Sequence, residues 1–385
     1  MAPADEAALA EAVAEAAAAR RPLAIRGGGT RAIGLPVAGA PLETSGLRGV
    51  TLYEPGALTL VVRAGTPVAE VEALLAAEGQ MLPFEPVDHR PLLGTSGEPT
   101  VGGMVATGAS GPRRVRVGAL RDYVLGVRFV SGEGRIIRAG GRVMKNVTGY
   151  DLGRLLAGSH GTLGVLTEVA FKVLPAPERV ATLRIEGPGP AEAVALMAAA
   201  LATPWEVSGA AWLPAGLEGA GAPAAVLLRL EGFAEQIAYR SRRLAEHLAG
   251  QAGGARAEIL EDDAAERARW RAIRDAAPLA GTEGDLWLLS LRPSTAAGVL
   301  ERAGARAALM DWGGGRLWLV TEPGDDLRAR LGPIEGHATL LRAAPETLAR
   351  LGPFHPRPPG VARLEAGLRA RFDPAGILNP GRMGG

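Results

Sequence analysis

"GTSGEPTVGGMVATGASGPRRVRVGALRDYVLG", residues 94–126, is the stretch on which the fold turns. It is too apolar for a disordered linker and too dense in glycine for an ordinary core element. Within it, "PTVGGMVAT" (99–107) ends a loop with Pro99 and Thr100 and then opens a short apolar helical turn with two glycines. The amides around Gly102 and Gly103 can then face an anion, with partial positive charge behind them.

Two further segments share this character. "IRGGGTR" (25–31) places three glycines between two arginines directly after an apolar run. Gly27, Gly29 and Ala32 fit a dinucleotide fingerprint, but that fingerprint must open a helix. Here Gly34 and Pro36 follow and would break the helix in its first turn. A phosphate-binding loop of the Walker type needs a lysine, and none is near. What remains is a plain glycine-rich turn or a loop of bare amides wrapped around phosphate. The third segment, "KNVTGYDLGRLLAGSHGTLGVLTEVAFKVLP" (145–175), brings "SHGTLG" to the point where a strand begins.

Composition narrows the function classes. The chain has 385 residues, which predicts two domains. Its 42 basic and 41 acidic residues give no electrostatic case for nucleic acid or an anionic membrane. No apolar run reaches membrane-spanning length and no signal-peptide pattern is present, so a cytoplasmic location is expected, with any membrane association made through partner subunits. There is no cysteine. Disulfides, thiolate nucleophiles and Cys-ligated iron–sulfur clusters held by this chain alone are therefore excluded. Lys145 and Lys172 are the only lysines, and Asn146 and Asn379 the only asparagines, which draws attention to "KN" and to "NP" at 379–380.

Patterning predicts a helix over 5–20 and strands over 22–28, 49–56 and 58–65. A helix over 66–79 follows, with Thr66 as its cap and Pro67 at its first position. Residues 123–141 read as a hairpin, 151–158 as a short helix and 163–175 as a long buried strand. "PAPE" (175–178) marks a boundary. From 180 to 350, strands and helices alternate over short connections, which indicates helices on one face of an antiparallel sheet. The expected fold class is α+β, with domains at 1–176 and 177–351 and a return to the first domain over 352–385.

The three glycine segments, in this order and spacing, resemble the FAD-binding domain of the p-cresol methylhydroxylase and vanillyl-alcohol oxidase type. The resemblance covers about residues 1–176, and the tail "FDPAGILNPGRM" matches the family's C-terminal return. "GQMLPFEP", "GGMVATGASGPRR", "VGALRDYVLG" and "GGRVMKNVTGYDLGRLLAGSHGTLGVLTEV" resemble, more narrowly, the FAD-binding subunits of bacterial glycolate oxidase, a 2-hydroxy-acid dehydrogenase. The resemblance implies a two-part FAD-binding domain with a smaller α+β cap carrying an antiparallel sheet.

It also implies roles. Arg26, Gly27, Gly28, Gly29 and Thr30 form the first phosphate loop. Thr100, Gly102, Gly103 and Thr107 lie along the diphosphate and ribityl chain. Gly161, Thr162, Gly164 and Val165 meet the cofactor mainly through backbone. Pro83, Gly108 and Asn379 complete the expected contacts, while Arg382 either reaches the flavin or pins the tail. Asp122 and Tyr123 are expected to brace a loop, and Asn146, Gly149, Tyr150 and Asp151 to shape a turn. Many relatives attach FAD through His or Cys; with no Cys, and with Gly-Gly-Gly-Thr in the first loop, non-covalent FAD is expected. His89 and His160 read as supporting residues. The arginines of "RRVR" (113–116) read as solvated or as a lure for a carboxylate.

Oxidising a 2-hydroxy acid needs a hydride acceptor, a base for the hydroxyl proton and a cation for the carboxylate. Larger relatives carry a His-rich segment in the cap that this chain lacks. Glu335, His337 and His355 are too sparse to predict a metal site, and no catalytic base stands out. Two roles follow from the resemblance. One is the FAD-bearing partner of a larger homologous FAD subunit, with a Cys-rich iron–sulfur subunit as acceptor and a small 2-hydroxy acid as substrate of the complex. The other is a stand-alone 2-hydroxy-acid or D-lactate dehydrogenase using cap arginines such as Arg316 or Arg342. A cell-wall-type reductase is a third reading, but those relatives lack the "KNVTGYDL" segment.

Overall fold

Val165–Lys172 is buried at nearly every position, as a strand must be when both its edges and both its faces are covered. In the computed structural model, which describes residues 1–142, 149–251 and 253–384, it is the central strand of a five-stranded antiparallel sheet. The order is Val50–Glu54, Thr59–Arg63, Val165–Lys172, Val124–Val130, Ile136–Gly140. This sheet belongs to a first compact unit made of Met1–Ser110, Ala119–Ala176 and Pro356–Gly385.

Helix Glu6–Ala18 starts where the Asp5 carboxylate accepts from the Ala8 amide, and it buries Leu9, Val13 and Ala16. These pack with Leu23, Leu42, Ile377 and Leu378. Leu23–Arg26 pairs in parallel with Ala40–Glu43 and also bridges in parallel to Leu378. The chain's tail thus becomes a strand-like partner of its first strand. Helix Val68–Ala77 differs slightly from expectation: Pro67 holds the cap position. Thr66 instead takes a hydrogen bond from the Gly49 amide at 2.8 Å, which closes a turn rather than a helix end.

The second unit comprises Gly111–Gly118 and Pro177–His355. Its eight strands run, in spatial order, Ala257–Leu260, Arg179–Glu186, Ala225–Gly232, Gly209–Leu213, Ala307–Asp311, Arg316–Thr321, Asp285–Leu291 and Gly336–Arg342, every neighbouring pair antiparallel. Leu183, Ala210, Leu228, Trp287 and Leu319 face helices Pro190–Leu201, Ala234–Ala249 and Ala296–Ala303. The alternate positions point the other way. There, helix Asp263–Arg274 lays Trp270 over Gly209 and donates from its indole to Thr182 at 2.9 Å. Helices therefore lie on both faces, where the alternation in sequence suggested one.

Gly111–Gly118 belongs to this second unit although it lies inside the stretch expected to form the first. Its Arg113 is buried and pairs with Glu231 at 2.6 Å, and the Gly111 carbonyl accepts from the Trp312 indole at 2.9 Å. The "RRVR" arginines are thus structural in part: Arg114 stacks on Trp312, and Arg116 pairs with Glu206.

Candidate functional site

The glycine segments of the first unit converge because their backbones touch. A Cβ on Gly28 would overlap the Glu98 carbonyl oxygen, and one on Gly27 would overlap the Thr100 hydroxyl, so the first loop lies directly against residues 97–100. Thr95 locks the contact by donating to the Thr30 carbonyl at 2.9 Å, and Arg31 donates to the Val87 carbonyl at 3.0 Å. The third segment then bonds to helix Val101–Thr107: the Gly158 and His160 amides donate to the Val105 and Ala106 carbonyls. Asn379 ties the tail to both sides. Its side-chain oxygen accepts from the Ile25 amide at 2.8 Å and its nitrogen donates to the His160 carbonyl at 2.9 Å.

These segments enclose a cleft of about 440 Å³, within the usual range for cofactor sites. Arg26, Arg31 and Arg382 line it, and no Asp or Glu does among the described residues. Burial, reinforced by the Arg26 charge, lowers the pKa of Arg382. Burial, then the Arg382 charge, brings His160 down to about 4, so its ring is neutral near pH 7. Within the chain's described residues, nothing accepts from the amides of Gly27, Gly28, Gly29 and Thr30. Four consecutive donors, three arginines and no carboxylate make the cleft a receptor for a polyanion.

Of the expected contacts, Arg26, Gly27, Gly28, Gly29, Thr30, Thr100, Gly102, Gly103, Thr107, Gly161, Gly164, Val165 and Asn379 line this cleft. Pro83, Gly108 and Thr162 do not. Pro83 is buried beside Phe84, which packs on Tyr123 and Phe171. Gly108 takes the left-handed cap of its helix. Thr162 turns its hydroxyl to the Ser159 carbonyl at 2.8 Å and lines a separate 150 Å³ cavity with Arg369.

The expected anion-facing role of the 102–103 amides needs correction. The Gly102 N–H donates to the Ala64 carbonyl at 2.7 Å and the Gly103 N–H to the Thr100 hydroxyl at 3.3 Å. Gly102 is there for closeness: a Cβ would stand 2.9 Å from that of Ala64. Thr107 likewise donates inside its own helix, to the Gly103 carbonyl. Arg382, expected either to reach the flavin or to pin the tail, also lines the cleft, and Arg31 and His160 do so beyond the expected contact set; the arginine flanking the glycine triplet was the available signal for Arg31. Asp122 braces its turn through the Ala119 amide and Arg154. Tyr123 is buried, His89 is buried outside the cleft lining, and Asp151 caps helix Leu152–Leu156. Lys145 and Asn146 lie outside the described residues.

In the second unit, the side chains nominated for catalysis are already engaged. Arg316 is 2 % exposed, pairs with Asp311 at 2.5 Å, and lies over the rings of Trp312 and Trp318, 4.2 and 5.3 Å from their centroids. Arg342 donates to the Thr282 carbonyl at 2.7 Å. Glu335 pairs with Arg292, and His355 accepts from the Ala338 amide. Among the described residues no group of three or more His, Cys, Asp or Glu is placed to share a metal.

Comparison with known proteins identifies the class of this cleft. Residues 1–140 match the family model of the FAD binding domain, and residues 192–306 that of the C-terminal domain of FAD linked oxidases. Over 380 residues the chain is 38 % identical to glycolate oxidase subunit GlcE of Escherichia coli, spanning 98 % of this chain and 96 % of that protein. The chain belongs to the FAD-linked oxidase family that contains this subunit.

Other likenesses are partial. Glycolate oxidase subunit GlcD of Bacillus subtilis is 37 % identical over 126 residues, a third of this chain and a quarter of that protein. A D-lactate dehydrogenase of Archaeoglobus fulgidus is 45 % identical over 89 residues, 23 % of this chain and 20 % of that protein. The solved structure of an alkyldihydroxyacetonephosphate synthase shares the fold, with a TM-score of 0.71 at 16 % identity over 99 % of this chain and 76 % of that one. FAD is the cofactor of the family, and the cleft fits it: free amides and arginines suit a diphosphate.

Proposed function

We propose that this chain is the FAD-bearing subunit of a heteromeric glycolate oxidase, in which glycolate is oxidised to glyoxylate. Its partners in this reading are a larger homologous FAD subunit and a Cys-rich iron–sulfur subunit. Non-covalent FAD in the cleft supplies a two-electron acceptor. The chain's own residues hold and shield it. The amides of Gly27 to Thr30 meet the diphosphate, Asn379 fixes the spacing of the strand and loop on either side, and neutral His160 adds no charge. Because the sequence holds no cysteine, a Cys-ligated cluster that receives the electrons belongs to another chain.

The observation that carries the subunit reading is the state of Arg316. At 2 % exposure, neutralised by Asp311 and lying over the rings of Trp312 and Trp318, it is closed off from a substrate carboxylate. A stand-alone D-lactate or 2-hydroxy-acid dehydrogenase is the second reading, supported by the short likeness to D-lactate dehydrogenases. Anaerobic addition of glycolate or D-lactate to the purified chain separates the two. The subunit reading expects a yellow protein that stays yellow alone and bleaches once the larger subunit is added; prompt bleaching of the chain by itself overturns it. No helix among the described residues is long and apolar enough to cross a membrane, so any attachment to one is assigned to the partner subunits.

A further inference from the structure

Helix Pro359–Phe372 is 14 residues long, and not one of them is buried. A helix of that length is marginal in water by itself, and packing of an apolar face is what ordinarily stabilises it. This helix has such a face, turned to solvent. Val361, Leu364 and Leu368 share one side by their spacing, and they are 43 %, 71 % and 36 % exposed. Leu364 has Val361 and Leu368 one turn away on one flank, and Gly360 and Gly367 one turn away on the other. A Cβ on either glycine would meet nothing within 4 Å. Glycine weakens a helix, but two of them beside a leucine leave a bare shelf on which a second helix can lie close.

Charge narrows the partner. Arg357, Arg363, Arg369 and Arg371 accompany a single acid, Glu365, and that acid already pairs with Arg357 at 3.1 Å. Arg371 stands one turn from Leu368, at the edge of the apolar stripe. A second copy of the helix would set arginine against arginine. A lipid surface would meet only three apolar side chains, none aromatic, beside two glycines, which is a seam too narrow to anchor in a bilayer. An apolar surface rimmed with carboxylates satisfies both the stripe and the arginines. The helix also continues into the cofactor site. After Phe372, the Asp373 carboxylate accepts from the Ile377 and Leu378 amides at 3.0 and 2.7 Å, and the chain then reaches Asn379 in the cleft. A protein docked on this helix rests on the tail that closes the cleft, which is where an electron acceptor belongs. A cluster held by thiolates is itself net negative.

We propose that the face formed by Val361, Leu364 and Leu368 is the docking surface for the iron–sulfur subunit, which meets it with an apolar seam rimmed by carboxylates. This rests on the subunit reading above and adds to it the surface that receives the acceptor.

The test uses the full-length, FAD-loaded chain, titrated separately with the purified iron–sulfur subunit carrying its cluster and with the larger flavoprotein subunit. Leu364→Glu is expected to raise the Kd for the iron–sulfur subunit by about thirtyfold or more, and Arg371→Glu by severalfold. Flavin content and affinity for the larger subunit should keep their wild-type values, since Leu364 lies outside the cleft lining. Wild-type affinity for the iron–sulfur subunit should fall as salt rises. Unchanged affinity in Leu364→Glu overturns the proposal, as does a loss confined to the larger subunit. A wild-type dimer that Leu364→Glu splits would assign the face to a second copy. Binding to phosphatidylglycerol vesicles that the same variant abolishes would assign it to a membrane; either result overturns the proposal. Wild-type chain that joins the larger subunit but never the iron–sulfur one overturns it too, whereas chain that joins neither refutes the subunit reading itself.

Discussion

Two arginine clusters sit in this chain, and they are built on opposite principles. In the second unit, Arg113 and Arg316 are buried against Glu231 and Asp311, and Arg316 also lies over two indoles. In the first unit, Arg26 and Arg382 share a cleft with no carboxylate. Matched charges hold a fold together; unmatched ones signal a missing anion. The same residue type thus marks structure in one place and binding in the other, and only the partners tell them apart.

The contrast can be attacked with separate reporters, because all six tryptophans (205, 212, 270, 287, 312 and 318) belong to the second unit. The largest effect is expected from Asp311→Ala, which strands a buried guanidinium. It should destabilise the second unit by about 4 kcal/mol, read by tryptophan fluorescence in urea, while FAD affinity of the folded protein stays at its wild-type value. A change below the size of a surface substitution would mean the pair is not structural.

Next is Gly28→Ala. The new methyl overlaps the Glu98 carbonyl, so the loop must separate from residues 97–100 at a cost of about 3 kcal/mol. FAD content on purification should collapse while the tryptophan signal is unmoved; full flavin loading would break the picture of touching backbones.

The smallest effect is in acid. His160 drops from 6.5 to about 4 on folding, so its contribution to stability is complete above about pH 6.5 and lost as pH falls toward 4. For Glu231, burial raises the pKa, but Arg229 and Arg113 outweigh it and bring it from 4.5 to about 2. Its contribution is complete above about pH 4.5 and fades as pH falls toward 2. Acidification should therefore weaken flavin retention before it disturbs tryptophan fluorescence, and His160→Asn should flatten the first phase. Coincident phases would erase the distinction.

The glycine segments were legible because close approach of backbones demands glycine whatever surrounds it. So were the sheets, whose strands end where Gly or Pro stops them. What the sequence hid was partnership. Nothing in "PTVGGMVAT" reveals that the Gly102 amide already belongs to Ala64, since that carbonyl comes from another segment. Pro83 and Thr162 carry the right motif but face elsewhere, because a motif fixes neighbours along the chain and not the direction of a side chain. Arg316 looked available for the same reason: its partner Asp311 sits on the neighbouring strand. The detour of 111–118 into the second unit was concealed by the ordinary look of "GPRRVRVG".

Asn379 has a bearing on how the protein is made. The amide oxygen that receives the Ile25 N–H lies 354 positions further along the chain, so synthesis delivers it long after the strand it clasps. Until then, neither the first strand nor the His160 loop has its clasp, so a half-synthesised chain has glycine loops but no finished cradle. A cradle closed by so distant a residue is complete only once the whole intervening unit has been translated.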